Sequence, residues 1–171
     1  VVFEGPEDYH KRINSKKLKI NENSILIIRG CGPVGYPGSA EVVNMQPPDR
    51  LLKKGINALP TLGDGRQSGT SESPSILHVS PESAVGGDLG IVKTGDKMKI
   101  DLNKRRVDLI INKSEFKKRR RNKKRFKFKN QTPWQEIFRD TVGQLEDGAC
   151  INSREMYLDV SNKKGLPRDS H

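Results

Sequence analysis

The stretch SILIIRGCGPVGYPGSAE, residues 24–41, changes character at Arg29. Ser24 to Arg29 is a short β-branched apolar run bounded by polar residues and glycine, which suits a strand buried on both faces. The remainder is so dense in Gly and Pro that it must be loop, with residues 39–45 read as the start of a short helix behind Pro37 and Gly38. A buried strand therefore delivers the chain into a glycine-rich loop that ends near Glu41. Upstream, the opening VVF starts on apolar residues as if inside a strand, and further chain is expected before it. Downstream, Pro48 to Lys54 reads as a helix with Leu51 and Leu52 on one side and Gly55 as its stop. Strand-like NALPTLG (57–63) then leads into GDGRQSGTSESPS, residues 63–75, which has almost nothing to bury.

Two readings of GDGRQSG compete. In one it is a turn, with Gly63, Gly65 and Gly69 supplying positive φ and Asp64 capping its own backbone. In the other, glycines expose Ser68 so that a substrate can approach, and Arg66 meets an anionic group. Pattern alone favours the turn, since a serine alkoxide is out of reach near neutral pH without a nearby cation. The glycines of GPVGYPGSAE resemble a phosphate loop only superficially, because neither GK[ST] nor GxGxxG is present. A carboxylate such as Glu41 at that junction can offer one hard oxygen ligand to Mg²⁺, although a lone Glu is usually just solvated.

The rest of the chain is turn-rich. SILHVS (75–80) and LGIVKTG (89–95) read as strands separated by PESAVGGD, and KMKIDL and RVDLII alternate cleanly, which makes them a hairpin about Asn103 to Arg105. Thr132-Pro133-Trp134-Gln135 is a helix start with a capping box. Trp134, Ile137, Phe138, Val142 and Leu145 recur at helical spacing and are read as core. The tail SNKKGLPRDSH is expected on the surface. Several short strands with glycine turns point to a β-rich α+β fold, a partial β-barrel with flanking helices. Its divisions are 1–112 as the barrel part carrying the active-site loops, 113–130 as a basic linker and 131–171 as a C-terminal helix and tail.

A chain of 171 residues supports one domain plus appendages. With 32% apolar and 5% aromatic residues, its core must be lean. No apolar run reaches the roughly 18 to 20 residues needed to cross a bilayer. Cys31 and Cys150 have no partner at metal-ligand spacing and read as free thiols, while His78 in SILHVS reads as a partly buried structural histidine. The net charge of +11 is concentrated in KKRRRNKKRFKFK (117–129), whose ten basic residues leave only +1 for everything else. That run is read as a solvated linker in preference to a patch for nucleic acid or an anionic surface.

The run from Leu26 to Leu102, with GYPGSAEVVNMQPP (35–48), GDGRQSGTS (63–71), NQTPWQEIFRDTVGQL (130–145) and GLPRDSH (165–171), resembles the dihydroxy-acid and phosphogluconate dehydratase family. Its motifs look most like the sugar-acid branch, the arabinonate and xylonate dehydratases. The resemblance implies the C-terminal domain of a larger two-domain hydro-lyase that turns an aldonic or dihydroxy acid into a 2-keto-3-deoxy acid, using an iron–sulfur cluster, expected as 2Fe-2S, and Mg²⁺. It implies Ser68 as the base at C2, Thr70 as a supporting hydrogen-bond partner and Glu41 as a Mg²⁺ ligand, while Arg66 keeps the substrate-contact role read from the loop. Cluster cysteines and the other Mg²⁺ ligands, a carbamylatable lysine among them, are expected in an N-terminal domain outside this chain. A homodimer or homotetramer in the cytoplasm follows from the same likeness. The almost purely cationic 117–129 departs from the mixed-charge linker of the family. The alternative is a non-catalytic fragment that binds nucleic acid or anionic surfaces through that run.

Overall fold

The computed structural model describes residues 1–38, 41–42, 45–67, 73–123, 126–128, 132–152, 158, 162–163 and 165. Its centre is a parallel sheet of β1 (Val2–Phe3), β2 (Leu26–Ile28), β4 (Thr61–Gly63) and β6 (Ser75–Ile76), in that spatial order. Register pairs Val2 with Ile27, Ile27 with Leu62 and Leu62 with Ile76. Side chains alternate across a strand, so this register lines up one row of apolar residues on each face. Phe3, Leu26 and Ile28 pack on one face with Tyr9 and Ile13 and with Leu51. Those partners come from α1 (Pro6–Arg12) and its C-cap, and from α2 (Asp49–Leu52). Val2, Ile27 and Leu62 pack on the other face against Leu89 and Val92, with Met98 and Leu109 beside them. Burial on both faces is why the β2 run is continuously apolar, as parallel strands covered on both sides require.

Two further pairs flank this sheet. β3 (Glu41–Val42) lies parallel to β5 (Arg66–Gln67), and β7 (Met98–Asp101) pairs antiparallel with β8 (Arg106–Leu109) as the expected hairpin. The fold is thus a small α+β domain. The pairings among the described residues form an open sheet and two ribbons, without barrel closure.

Several local expectations are corrected. Residues 39–45 were to begin a helix, but Glu41 and Val42 are extended because Arg66 and Gln67 offer them a parallel partner. LGIVKTG is not a strand: Asp88–Ile91 is a 3-10 turn whose Leu89 and Ile91 are buried. The carbonyls of Leu89 and Val92, which a ladder would have used, accept from Arg29 Nη1 at 3.1 and 2.9 Å. Only Ser75–Ile76 of SILHVS is strand, and His78 is exposed with φ 57°, where its amide donates to Gly65.

The segment read as a basic linker contains α3 (Lys113–Arg121), capped by the Asn112 side chain, which accepts from Glu115 N. Basic residues crowd its last turn, where they complement the helix dipole. The helix α4 (Pro133–Thr141) has the full capping box of Thr132 and Gln135. Its apolar stripe is not core throughout: Trp134 is 77% exposed and Ile137 52% exposed, whereas Val142 is buried and Phe138 half-buried. The face that docks is instead that of Gln135, Phe138, Arg139 and Val142, anchored where Arg139 Nε donates to Val34 O at 2.8 Å. Most of the polar tail 161–171 lies outside the described residues.

Candidate active site

In an open parallel sheet, the crevice at the carboxyl ends of the strands is where ligands bind. Here the loop after β2 (residues 29–36) and the residues after β4 meet at that edge. Two carboxylates hold them. Asp64, fully buried, accepts from Cys31 N at 2.9 Å through Oδ1. Through Oδ2 it accepts from Gly30 N at 3.1 Å, Ser83 N at 2.8 Å and Ser83 Oγ at 2.6 Å. Glu82, also fully buried, accepts from Val34 N and Gln144 Nε2, each at 2.9 Å, and from Gly35 N at 2.8 Å. A buried carboxylate is tolerable only when its lone pairs are satisfied in this way. The turn reading of Asp64 is therefore corrected, since its partners are loop amides 33 and 34 residues upstream rather than its own backbone.

The glycines serve close packing more than positive φ. A Cβ on Gly65 would stand 2.7 Å from both Cβ and O of Cys31, and one on Gly63 would stand 2.8 Å from Ile28 Cγ2. Neither residue has a positive φ. Gly32 is equally confined, its notional Cβ falling 2.5 Å from Glu82 Oε2. The loop, the Asp64 turn and the Ser83–Val85 turn thus form one packed unit.

Onto this unit the β3–β5 pair is built. Its register sets Glu41 opposite Arg66, and both are exposed. Two of the residues singled out from sequence, 25 positions apart, are thereby brought side by side. Ser68 and Thr70 follow β5 directly in the sequence and lie outside the described residues, as does Gly69. Asp64, Glu82, Ser83 and Gln144 were not singled out as functional. The one sequence signal for Asp64 was its position between two glycines after an apolar run.

The described residues do not make up a metal or cluster site. Among them no group of three or more His, Cys, Asp or Glu side chains is gathered at ligand distances. Asp64 and Glu82 spend their oxygens on amides and the Ser83 hydroxyl, and burial, reinforced by the charge of Asp64, pushes the Cys31 thiol far up. Both cysteines are free, Cys31 buried and Cys150 exposed. Glu41 remains as a single candidate oxygen ligand. Among the described residues, no helix is long and apolar enough to cross a membrane.

Comparison with known proteins places these features. Over all 171 residues the chain is 54% identical to a D-xylonate dehydratase of Caulobacter vibrioides, covering 28% of that protein. It is 48% identical over 119 residues, 70% of this chain, to an L-arabinonate dehydratase of Rhizobium leguminosarum bv. trifolii, covering 21% of it. It is 38% identical over 150 residues, 87% of this chain, to a dihydroxy-acid dehydratase of Thermodesulfovibrio yellowstonii, covering 26% of it. The chain spans about a quarter of the length of these relatives. With the family model matched over residues 1–149, the chain belongs to the Dihydroxy-acid/6-phosphogluconate dehydratase C-terminal family.

Proposed function

We propose that this chain supplies the C-terminal part of a hydro-lyase acting on a sugar acid, or on a related 2,3-dihydroxy acid. The observation that carries the reading is the β3–β5 register, which joins the PGSAE segment to GDGRQSG through Glu41 and Arg66 beside the loop held by Asp64 and Glu82. The likeness to the D-xylonate and L-arabinonate dehydratases supports an aldonate as substrate.

In this reading Ser68 removes the proton at C2, and the C–H electron pair becomes the C2–C3 double bond as the C3 hydroxyl departs. The departing hydroxide and the proton taken from C2 together make up the water released, and the enol formed tautomerises to the 2-oxo-3-deoxy acid. No electron is gained or lost. Arg66 meets the substrate carboxylate, where a guanidinium fork suits a planar anion. Thr70 is a hydrogen-bond partner beside the base. Glu41 contributes one oxygen to a Mg²⁺ ion, and the ligands of an iron–sulfur cluster belong outside this chain. Completion of the barrel and of the site by further chain, assembly as a dimer or tetramer and a cytoplasmic location belong to the same proposal.

Replacement of Ser68 by Ala in the complete enzyme tests it. Loss of a general base costs roughly 10²- to 10⁴-fold in turnover. We expect a loss on that scale with unaltered circular dichroism, and wild-type turnover in the variant would sink the proposal.

A further inference from the structure

The basic run contains more than the dehydratase reading uses. Between α3, the Asp88–Ile91 turn and the end of β2 lies a cleft of about 550 Å³. That is within the usual size of small-molecule sites, roughly 300 to 1,000 Å³. Six cationic and two acidic side chains line it, which leaves an excess of four positive charges. The cations come from separate parts of the chain: Arg29 from the end of β2, Lys93 from the segment between the Asp88–Ile91 turn and β7, and Lys118, Arg119, Lys123 and Lys127 from α3 and beyond.

The cleft is constructed rather than left over. Lys123 lies so close to Gly90 that a Cβ there would meet Lys123 Cε at 2.5 Å. Its Nζ donates to Gly87 O at 2.5 Å. Phe126 is fitted against Gly30 in the same way, with a notional Cβ 2.7 Å from its Cε2. Arg119 is locked by Asp96 and Glu115, with Nη1 to Asp96 Oδ2 at 2.6 Å and Nε to Glu115 Oε1 at 2.7 Å. Arg29 is likewise engaged by Glu4. Lys118 and Lys127 form no ion pair among the described residues, although the charge of Lys118 is felt by Glu115. Burial lowers the Lys123 pKa, with Asp88 opposing and the charges of Arg120 and Arg29 adding to the effect.

We propose that this cleft binds a small, multiply charged phosphate ester, its phosphates between Lys118 and Lys127 and its organic part against Phe126. With Arg119 neutralised by Asp96, an excess of three positive charges remains, which a diphosphate balances more closely than a single carboxylate does. Lysines act on phosphate as point charges without needing a planar fork. A concave lining distinguishes this from a nucleic-acid surface, which would engage the outward face of α3, where Lys113, Lys117 and Arg121 are exposed at helical spacing. The proposal does not rest on the dehydratase reading.

Titration calorimetry of the full chain at low salt tests it with two probes, inorganic pyrophosphate and ADP. We expect saturable one-to-one binding of both, with ADP the tighter. The double variant Lys118→Ala/Lys127→Ala should weaken both by about tenfold or more. Lys118→Arg/Lys127→Arg should retain binding, which separates charge from folding, and thermal unfolding of each variant checks that the fold persists. Absence of saturation at millimolar probe would overturn the proposal. So would unchanged affinity in the alanine pair, or a loss in Lys113→Ala/Lys117→Ala/Arg121→Ala equal to that in the cleft variant. Binding of duplex DNA that depends on that outward face, with no binding of ADP, would replace the cleft with a polyanion patch.

Discussion

Asp64 organises the candidate site by gathering donors from two loops. Four donors converge on its two oxygens, and only Gly30 N has a second acceptor, Ser83 Oγ at 2.9 Å. In Asp64→Ala the remaining donors are stranded in a dry interior, at about 1 to 3 kcal/mol for each unsatisfied group. We therefore expect this variant to lose roughly 3 kcal/mol or more of stability, read as a lower urea midpoint of the full chain. A midpoint within error of wild type would show that these amides find other partners. Neither the acid's burial nor its partners could be read from GDGRQSG, because Gly-Asp-Gly is equally good turn chemistry and the acceptor's targets lie on another loop.

At the scale of elements, α3 shows how a run of like charge becomes a docked helix. Its like-charged neighbours repel at i,i+4 spacing. Arg119 offsets this by turning inward to Asp96 and Glu115. Burial alone would raise the Asp96 carboxyl, but hydrogen bonds from Arg119 and the Lys93 amide hold it below the ordinary range. A carboxyl depressed in the folded state adds stability that is present above its unfolded pKa, about 4, and is lost as pH falls through the folded value. Acidification below about pH 4 should accordingly lower the urea midpoint, and Asp96→Asn should flatten that dependence. Identical pH profiles for the two proteins would exclude the pair as a contributor. The length of α3 was illegible in composition, since ten cations in thirteen residues read as a solvated stretch until Asp96 is known to lie beside them.

On the scale of the molecule, the described residues leave an apolar face along α4 to solvent, where Trp134 and Ile137 stand out. Trp134 is the one tryptophan in the chain, so its fluorescence reports this face alone. We expect acrylamide to quench it nearly as readily as free indole in this chain. Strong protection would mean that the face is covered, by a second copy or by rearrangement of the helix. The helical period of the stripe was visible in sequence, but a stripe does not say which of its edges meets the body. Arg139 decided that by reaching Val34 O, which turned the Phe138–Val142 edge inward.

What the sequence alone determined is what local pattern encodes. The doubly buried strand at Leu26–Ile28, the short helix α2 behind Pro48, the β7–β8 hairpin and the Thr132 capping box each follow from residues within a few positions of one another. The order of motifs such as PGSAE and GDGRQSG was enough to indicate the family. Tertiary structure alone decided the pairing of Glu41 with Arg66, the clasping of the glycine loop by Asp64 and Glu82, and the cleft beneath α3. The physical reason is separation: those partners stand tens of residues apart. A buried acceptor or a parallel neighbour has no local signature until the chain has closed around it.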